Sequence, residues 1–318
     1  SLGQHATELL RRYRRKSTQQ STQYVYHQYP HTHGSPTPGT RTHQGISFCH
    51  SNRHQQHTQA GANARTPLFM ALLAGRYERL GLTRDADYWV AIAVEQTPQP
   101  AQKFVYKAIQ FQIRGDLTGI RAKIDKLHAA LGTDMDGLHP FQAAVYAAAN
   151  IYVENFDVGI EMLEGLFDVG SFSDSFDFNA FGELGSLHLL AYAYQQVGRD
   201  EEAEALLTRL HAHVNAHIVE RHLDFGPAHQ MLAQNFGLRG DFDAAADALE
   251  AAIEAGWLNY IWVMNDPTWA ETIAYPRVAR LLEDVKLELE RQRAVVQQAD
   301  AEHDFRAELA ALRSTPED

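Results

Sequence analysis

From about residue 66 to residue 255 the apolar positions of this chain recur every three or four residues, the spacing of helices that bury one face. Within that pattern a four-residue signature returns five times at identical offsets: Ala, a large apolar residue, Gly or Asn, then Ala or Ile. Its members are Ala74-Tyr77-Gly81-Ala86, Ala108-Phe111-Gly115-Ile120, Ala148-Ile151-Asn155-Ile160, Ala191-Tyr194-Gly198-Ala203 and Ala233-Phe236-Gly240-Ala245. Successive units are 34, 40, 43 and 42 residues apart. A period of that size marks stacked supersecondary units in place of one undivided core.

Each unit reads as a helical hairpin. The small Ala lets one helix approach its partner, and the residue three positions on fills space on the same face. Gly81, Gly115, Asn155, Gly198 and Gly240 fall where the first helix must stop, a place suited to the left-handed conformation. Acidic residues follow in Gly115-Asp116, Gly240-Asp241 and Gly198-Arg199-Asp200, where they favour the start of a second helix. The second helices carry the stripes Ala86-Val90-Ala93, Ile120-Ile124-Leu127, Ile160-Leu163-Phe167, Ala203-Leu207-Leu210 and Ala245-Leu249-Ala252. An ordinary helical bundle with chance periodicity is the alternative, and five alanines in register weigh against it. The expected fold is all-α: an α-solenoid of about five helical hairpins with a C-terminal capping helix.

Two units carry a family resemblance. Leu187-x2-Leu190-Ala191-x2-Tyr194-x3-Gly198-x4-Ala203 and Met70-x2-Leu73-Ala74-x2-Tyr77-x3-Gly81-x4-Ala86 resemble the tetratricopeptide repeat, and Pro98 stands where that family ends a unit. The other three units are degenerate, with Lys107 and Ala147 in place of the usual Leu and with Ile120 and Ile160 replacing the small residue. Connections longer than the family minimum are expected at 132–140, 169–182 and 211–225. The resemblance implies a right-handed superhelix of helix pairs that scaffolds protein contacts.

A narrower resemblance follows the repeats. Gly256-Trp257-Leu258-Asn259-Tyr260, Asn265-Asp266-Pro267-Thr268-Trp269 and Tyr275-Pro276-Arg277-Val278, before a long charged helix, are similar to the closing segment of bacterial multidomain regulators. Asp85-Ala86-Asp87-Tyr88-Trp89 is similar to the same group. In such proteins tetratricopeptide units follow a winged-helix, kinase or nucleotide-cyclase module. Physically the tail reads as a cap in which Trp257, Trp262 and Trp269 cover the open end of the last hairpin. Pro276 opens a helix whose buried stripe is Val278, Leu281, Leu282, Val285 and Leu289, with residues 298–318 fraying or extending into solvent.

Charge divides the chain unevenly. Residues 1–65 hold eight basic residues (Arg11, Arg12, Arg14, Arg15, Lys16, Arg41, Arg53 and Arg65) against Glu8, so the net charge of −12 splits into about +7 there and about −19 beyond. Residues 17–65 are dominated by Gln, His, Thr, Ser and Gly and lack the apolar surface that offsets ordering entropy, so disorder is expected. The abrupt change at Thr66, with Ser1 in place of Met, also resembles an out-of-frame or misjoined upstream reading. The expected division is therefore a basic low-complexity region at 1–65, a repeat array at 66–255, and a cap with its charged helix at 256–318. No apolar run reaches the roughly 18–20 residues that cross a bilayer, no secretory leader is visible, and Cys49 stands alone, so a cytoplasmic location is expected.

Candidate chemistry is sparse. The sequence contains no His-Glu-x-x-His pair, phosphate loop, nucleophile elbow or dinucleotide fingerprint. His213 and His217, four apart on one helical face and backed by His211, Glu220 and His222, form the best metal candidate, weighed against exposed histidines that bind nothing. The His27–His57 tract, the acidic turns at Asp134–Asp136 and Asp174–Asn179, and the carboxylate pairs Glu201-Glu202 and Glu161-Glu164 read as solvated polar surface. An acidic array also repels nucleic acid. Neither enzyme chemistry nor a cofactor is expected.

Function then rests on the concave face of the array. The residues one step around from the core stripe are Glu78, Gln112, Tyr152, His188, Tyr192, Gln195, Gln230 and Gln234, a polar and aromatic set suited to an extended peptide or a neighbouring domain. The expected function is a non-catalytic protein-interaction scaffold, the sensing or scaffolding part of a larger bacterial regulator. The rival is an enzyme accessory or metal-binding helical protein using the His211–His222 region.

Overall fold

Four of the five hairpin turns place the expected glycine in the left-handed region, at φ 69° for Gly81, 65° for Gly115, 78° for Gly198 and 76° for Gly240. The computed structural model describes residues 67–131, 138–167, 181–221, 226–302 and 307. Among them every regular element is helical. The five pairs are α1 (Pro67–Arg79) with α2 (Thr83–Glu95), α3 (Pro100–Arg114) with α4 (Leu117–Leu131), α5 (Pro140–Tyr152) with α6 (Phe156–Leu166), α7 (Phe181–Gln196) with α8 (Asp200–Arg221), and α9 (Gly226–Leu238) with α10 (Phe242–Glu254). Then come α11 (Tyr260–Asn265), two 3-10 turns (Pro267–Trp269 and Thr272–Ala274) and the 27-residue α12 (Pro276–Glu302).

Packing follows the repeat. Each odd helix packs on the even helix of its own pair and on the next odd helix, so α1, α3, α5, α7 and α9 form a continuous row. The even helices α2, α4, α6 and α8 also touch the odd helix that follows each of them. Ala74, Ala108, Ala191 and Ala233 are buried in these contacts, as are the stripes Ala86-Val90-Ala93, Ile120-Ile124-Leu127, Ala203-Leu207-Leu210 and Ala245-Leu249-Ala252. Direct side-chain bonds stitch neighbouring pairs together. Gln142 donates to Gln102 at 3.0 Å, Tyr194 to Glu164 at 2.8 Å, and Asn235 to the Leu207 carbonyl at 2.8 Å.

The third unit departs from its expected register by one residue. In the other four turns the N–H after the left-handed residue bonds the carbonyl five positions back, as in Leu82 to Tyr77 and Asp241 to Phe236. In the third, Asn155 bonds Asn150 at 2.9 Å, and Glu154 takes the left-handed position at φ 67°. The structural unit is Ala147-Asn150-Glu154-Gly159, not Ala148-Ile151-Asn155-Ile160. Close approach sets this register. A Cβ on Gly159 would lie 3.1 Å from the Ala147 carbonyl oxygen and 2.5 Å from Ile151 Cγ1, so the crossing tolerates no side chain there. Tyr146 consequently occupies the place of the usual Leu and is buried. The connection expected at 211–225 also shortens, because α8 continues to Arg221. Residues 1–66, 132–137 and 168–180 lie outside the described residues, and with them the low-complexity reading and most of two expected long connections.

The tail does more than cover the last hairpin. Trp257 caps it, donating from Nε1 to Gln230 Oε1 at 3.3 Å and packing on Gly226. The chain then turns back along the row of odd helices: α11 touches α3 and α1, the first 3-10 turn touches α7 and α9, and the second touches α9. From there α12 packs on α10 through its buried Val278, Leu282, Val285 and Leu289. At 1.5 Å per residue it is about 40 Å long, enough to reach the first hairpin, where Arg293 meets the Leu80 carbonyl.

A left-handed Glu costs roughly 1–2 kcal/mol more than Gly, partly offset by the greater freedom of an unfolded Gly. Glu154→Gly is therefore expected to stabilise the chain by about 1 kcal/mol and raise Tm by about 2–4 °C in a thermal melt. The same substitution at Asn155, the residue that the repeat pattern aligns with glycine, is expected to give no gain.

Candidate functional site

Five of the eight residues expected on an open polar groove are buried: Glu78, Gln112, Tyr152, His188 and Gln234. Tyr192, Gln195 and Gln230 are half-buried. All eight belong to the odd helices of the row. Neighbouring helices cover some of them and the chain's own tail covers others, among them Gln230 and Gln234.

At the first two hairpins Glu78 is the hub of an ion-pair network. Arg114 Nε donates to both of its carboxylate oxygens, at 2.8 and 3.0 Å, and Arg114 also pairs with Asp87 at 3.0 Å. Gln110 Nε2 donates to Glu78 at 3.2 Å and to Asp87 at 3.0 Å, while Lys107 Nζ donates to the other end of the same amide at 3.1 Å. Burial lowers the Lys107 pKa, against the opposing pull of Asp87. Glu78 is 2% exposed, so this carboxylate is dry and depends on Arg114.

At the middle and far end of the row the tail provides the partners. Gln234 Nε2 donates to Thr268 Oγ1 at 2.6 Å, and that hydroxyl donates onward to Asp266 Oδ1 at 2.6 Å. Asp266 also accepts from the Thr268 N–H at 2.9 Å and from Trp262 Nε1 at 3.1 Å. Burial nevertheless raises the Asp266 pKa, outweighing the hydrogen bonds from Thr268 and Trp262 that favour its anion. Tyr152 is pushed well above its usual value, first by burial and then by the Asp266 charge. Tyr192 rises as well, by burial and then by the charges of Glu154 and Asp266, and its ring meets Phe156 edge-on at 6.2 Å. Gln195 Nε2 donates to the Leu238 carbonyl at 2.8 Å, joining the fourth hairpin to the fifth.

The pattern pointed to the helix faces and missed the residues that close them: Asp87, Arg114, Asn265, Asp266, Thr268 and Arg293. A sequence signal existed for part of this set. Asn265-Asp266-Pro267-Thr268 has the form of a side-chain-capped turn, and Asp266 does cap the first 3-10 turn. Nothing local marks Arg114 or Arg293, whose partners lie 36 and 213 positions away.

Of the metal candidate, His211 packs edge-on against Phe236 at 5.1 Å, and His213 is half-buried on α8. The side chains of His217 and Glu220, and His222 altogether, lie outside the described residues, as do the His27–His57 tract and both acidic turns. Among the described residues no three His, Cys, Asp or Glu side chains converge as metal ligands. No helix among them is long and apolar enough to cross a membrane. Compared with family models, curated proteins and solved structures, the chain matches none.

Arg114→Ala strands a dry carboxylate and is expected to destabilise by about 3–5 kcal/mol. Arg277→Ala, which removes only exposed pairs to Asp247 and Glu250, should leave the melt nearly unchanged. Denaturant titration of both variants checks the contrast. Asp266 gives a pH signature. Its native pKa lies above its ordinary 3.8, so its favourable contribution is fully present below that value and is lost as pH rises through the native one. The stability of wild type relative to Asp266→Asn should accordingly fall as pH is raised from about 4 towards neutrality, measured by paired melts.

Proposed function

We propose that this chain is a non-catalytic protein-interaction scaffold: a solenoid of five tetratricopeptide-like hairpins serving as the sensing or scaffolding part of a larger, cytoplasmic bacterial regulator. One observation carries the reading. The row of odd helices already accommodates a polypeptide segment, residues 259–275, through side-chain bonds to helix ends such as Asn265 Nδ2 to the Ile113 carbonyl at 2.8 Å. A face that takes its own chain in this way has the chemistry of a polypeptide-docking surface: amide and hydroxyl donors beside buried aromatic and small residues.

Repeat spacing and the left-handed turns support the family resemblance. Tyr192, Gln195 and Gln230 retain partial exposure along the same row and are the positions through which a partner would first engage. Three charged groups with perturbed pKa values are tied up in fold-stabilising bonds: Asp266 caps a turn, Arg114 closes the junction of the first two hairpins, and Lys107 bonds Gln110 within α3.

Photo-crosslinking amino acids at Tyr192 and Gln230, compared with the even-helix positions Arg84 and Glu201, test the reading in the native cell. Discrete adducts of one protein from the first pair alone are expected. Adducts from the second pair alone, or none from either, would overturn it. The rival reading is tested on purified chain: one equivalent of bound zinc that disappears in His217→Ala would favour the metal-binding alternative.

A further inference from the structure

The same face that is proposed to dock a partner is held shut by the chain's own C-terminal segment, and the points of closure are specific. Two of them sit at helix C-termini of the first two hairpins. Arg293 Nε donates to the Leu80 carbonyl, where the negative end of the α1 dipole favours a cation, and Asn265 Nδ2 donates to Ile113 near the end of α3. Both side chains occupy notches that exist because the adjoining residue is glycine. A Cβ on Gly81 would come within 2.6 Å of an Arg293 guanidinium nitrogen, and one on Gly115 within 2.6 Å of Asn265 Oδ1. The corresponding glycines of the fourth and fifth hairpins, Gly198 and Gly240, have nothing within 4 Å of that position.

A third notch lies at the far end of the row. Gly237 is inside α9 with ordinary helical backbone, yet a Cβ there would stand 2.1 Å from Thr272 Oγ1. Helix propensity alone favours Ala at such a position by about 1 kcal/mol. Together with Gln234–Thr268–Asp266, the segment is anchored at both ends of the row and beside Tyr152 at its middle.

We infer that residues 259–275, pinned from α12 by Arg293, form an intramolecular latch: a built-in occupant of the odd-helix face that must disengage at Gly81, Gly115 and Gly237 before another polypeptide can use that face. The anchors at the first two hairpins are side-chain bonds to carbonyls, whereas the anchor at the last pair is a buried apolar surface built on Trp257, Trp269 and Val278. Opening therefore begins at α11 and the Arg293 end of α12 and finishes where Thr272 leaves Gly237, while the start of α12 stays tethered to α10. In its final step, the admission of another polypeptide, the inference rests on the docking reading above. Closure itself does not.

Hydrogen exchange on the intact chain separates the two. In Asn265→Ala/Arg293→Ala and in Gly237→Ala, amides of residues 260–275 should exchange about tenfold faster or more than in wild type, while α5 and α6 keep their protection. Gly240→Ala, which carries left-handed strain without a notch, should leave residues 260–275 unaffected. Unchanged exchange in both latch variants would overturn the inference. Equal acceleration through every helix would overturn it too, because the segment would then be an inseparable part of the core. A labelled peptide of residues 259–275 should bind the double variant about tenfold more tightly than wild type. Faster exchange without that gain would sustain closure and reject the face as a docking surface.

Discussion

A pair of short helices has apolar surface on both sides and can bury only one of them within itself. Everything in this fold follows from covering the other. Neighbouring pairs cover it along the array, which is why the buried alanines and the even-helix stripes are shared between units. The last pair is covered by Trp257, Val278 and the apolar stripe of α12. The row of odd helices would still present a long face, and α11 with the two 3-10 turns lies along it. The tail is therefore a structural answer to an open surface before it is anything else.

Polar groups on that inner face have a cost that explains their arrangement. A dry carboxylate such as Glu78 is tolerable only with Arg114 and Gln110 on its oxygens, and Asp266 only with Thr268 and Trp262. These bonds specify register in a way that apolar contact does not. Asn265 fits at Gly115 and Arg293 at Gly81, so the tail can settle in one position along the row. Specificity of this kind fixes where the molecule's own chain lies on the row.

Helix pairs, turns and core alanines were legible in the sequence because they are local: spacing and glycine chemistry act within a dozen residues. The third unit shows the limit. Asn155 offered the expected left-handed residue, but the tight crossing of Gly159 over Ala147 shifted the turn to Glu154, and only the packing of α6 on α5 reveals it. The candidate residues were legible as a row of positions, and all eight fall on the odd helices. Their burial was not legible, because it depends on distant pairings such as Arg114 with Glu78 and Thr268 with Gln234 that no local pattern encodes.

The central claim is that the tail lies against the odd helices of the first hairpins. Nuclear Overhauser effects in the intact, deuterated chain test it most directly, since Asn265 and Ile113 are 152 residues apart and meet at 2.8 Å. Cross-peaks from the Asn265 side-chain amide to the backbone amides around Gly115 are the predicted result. Well-dispersed helical spectra in which Asn265 shows contacts to α10 and its own turn, and none to α3, would contradict the account.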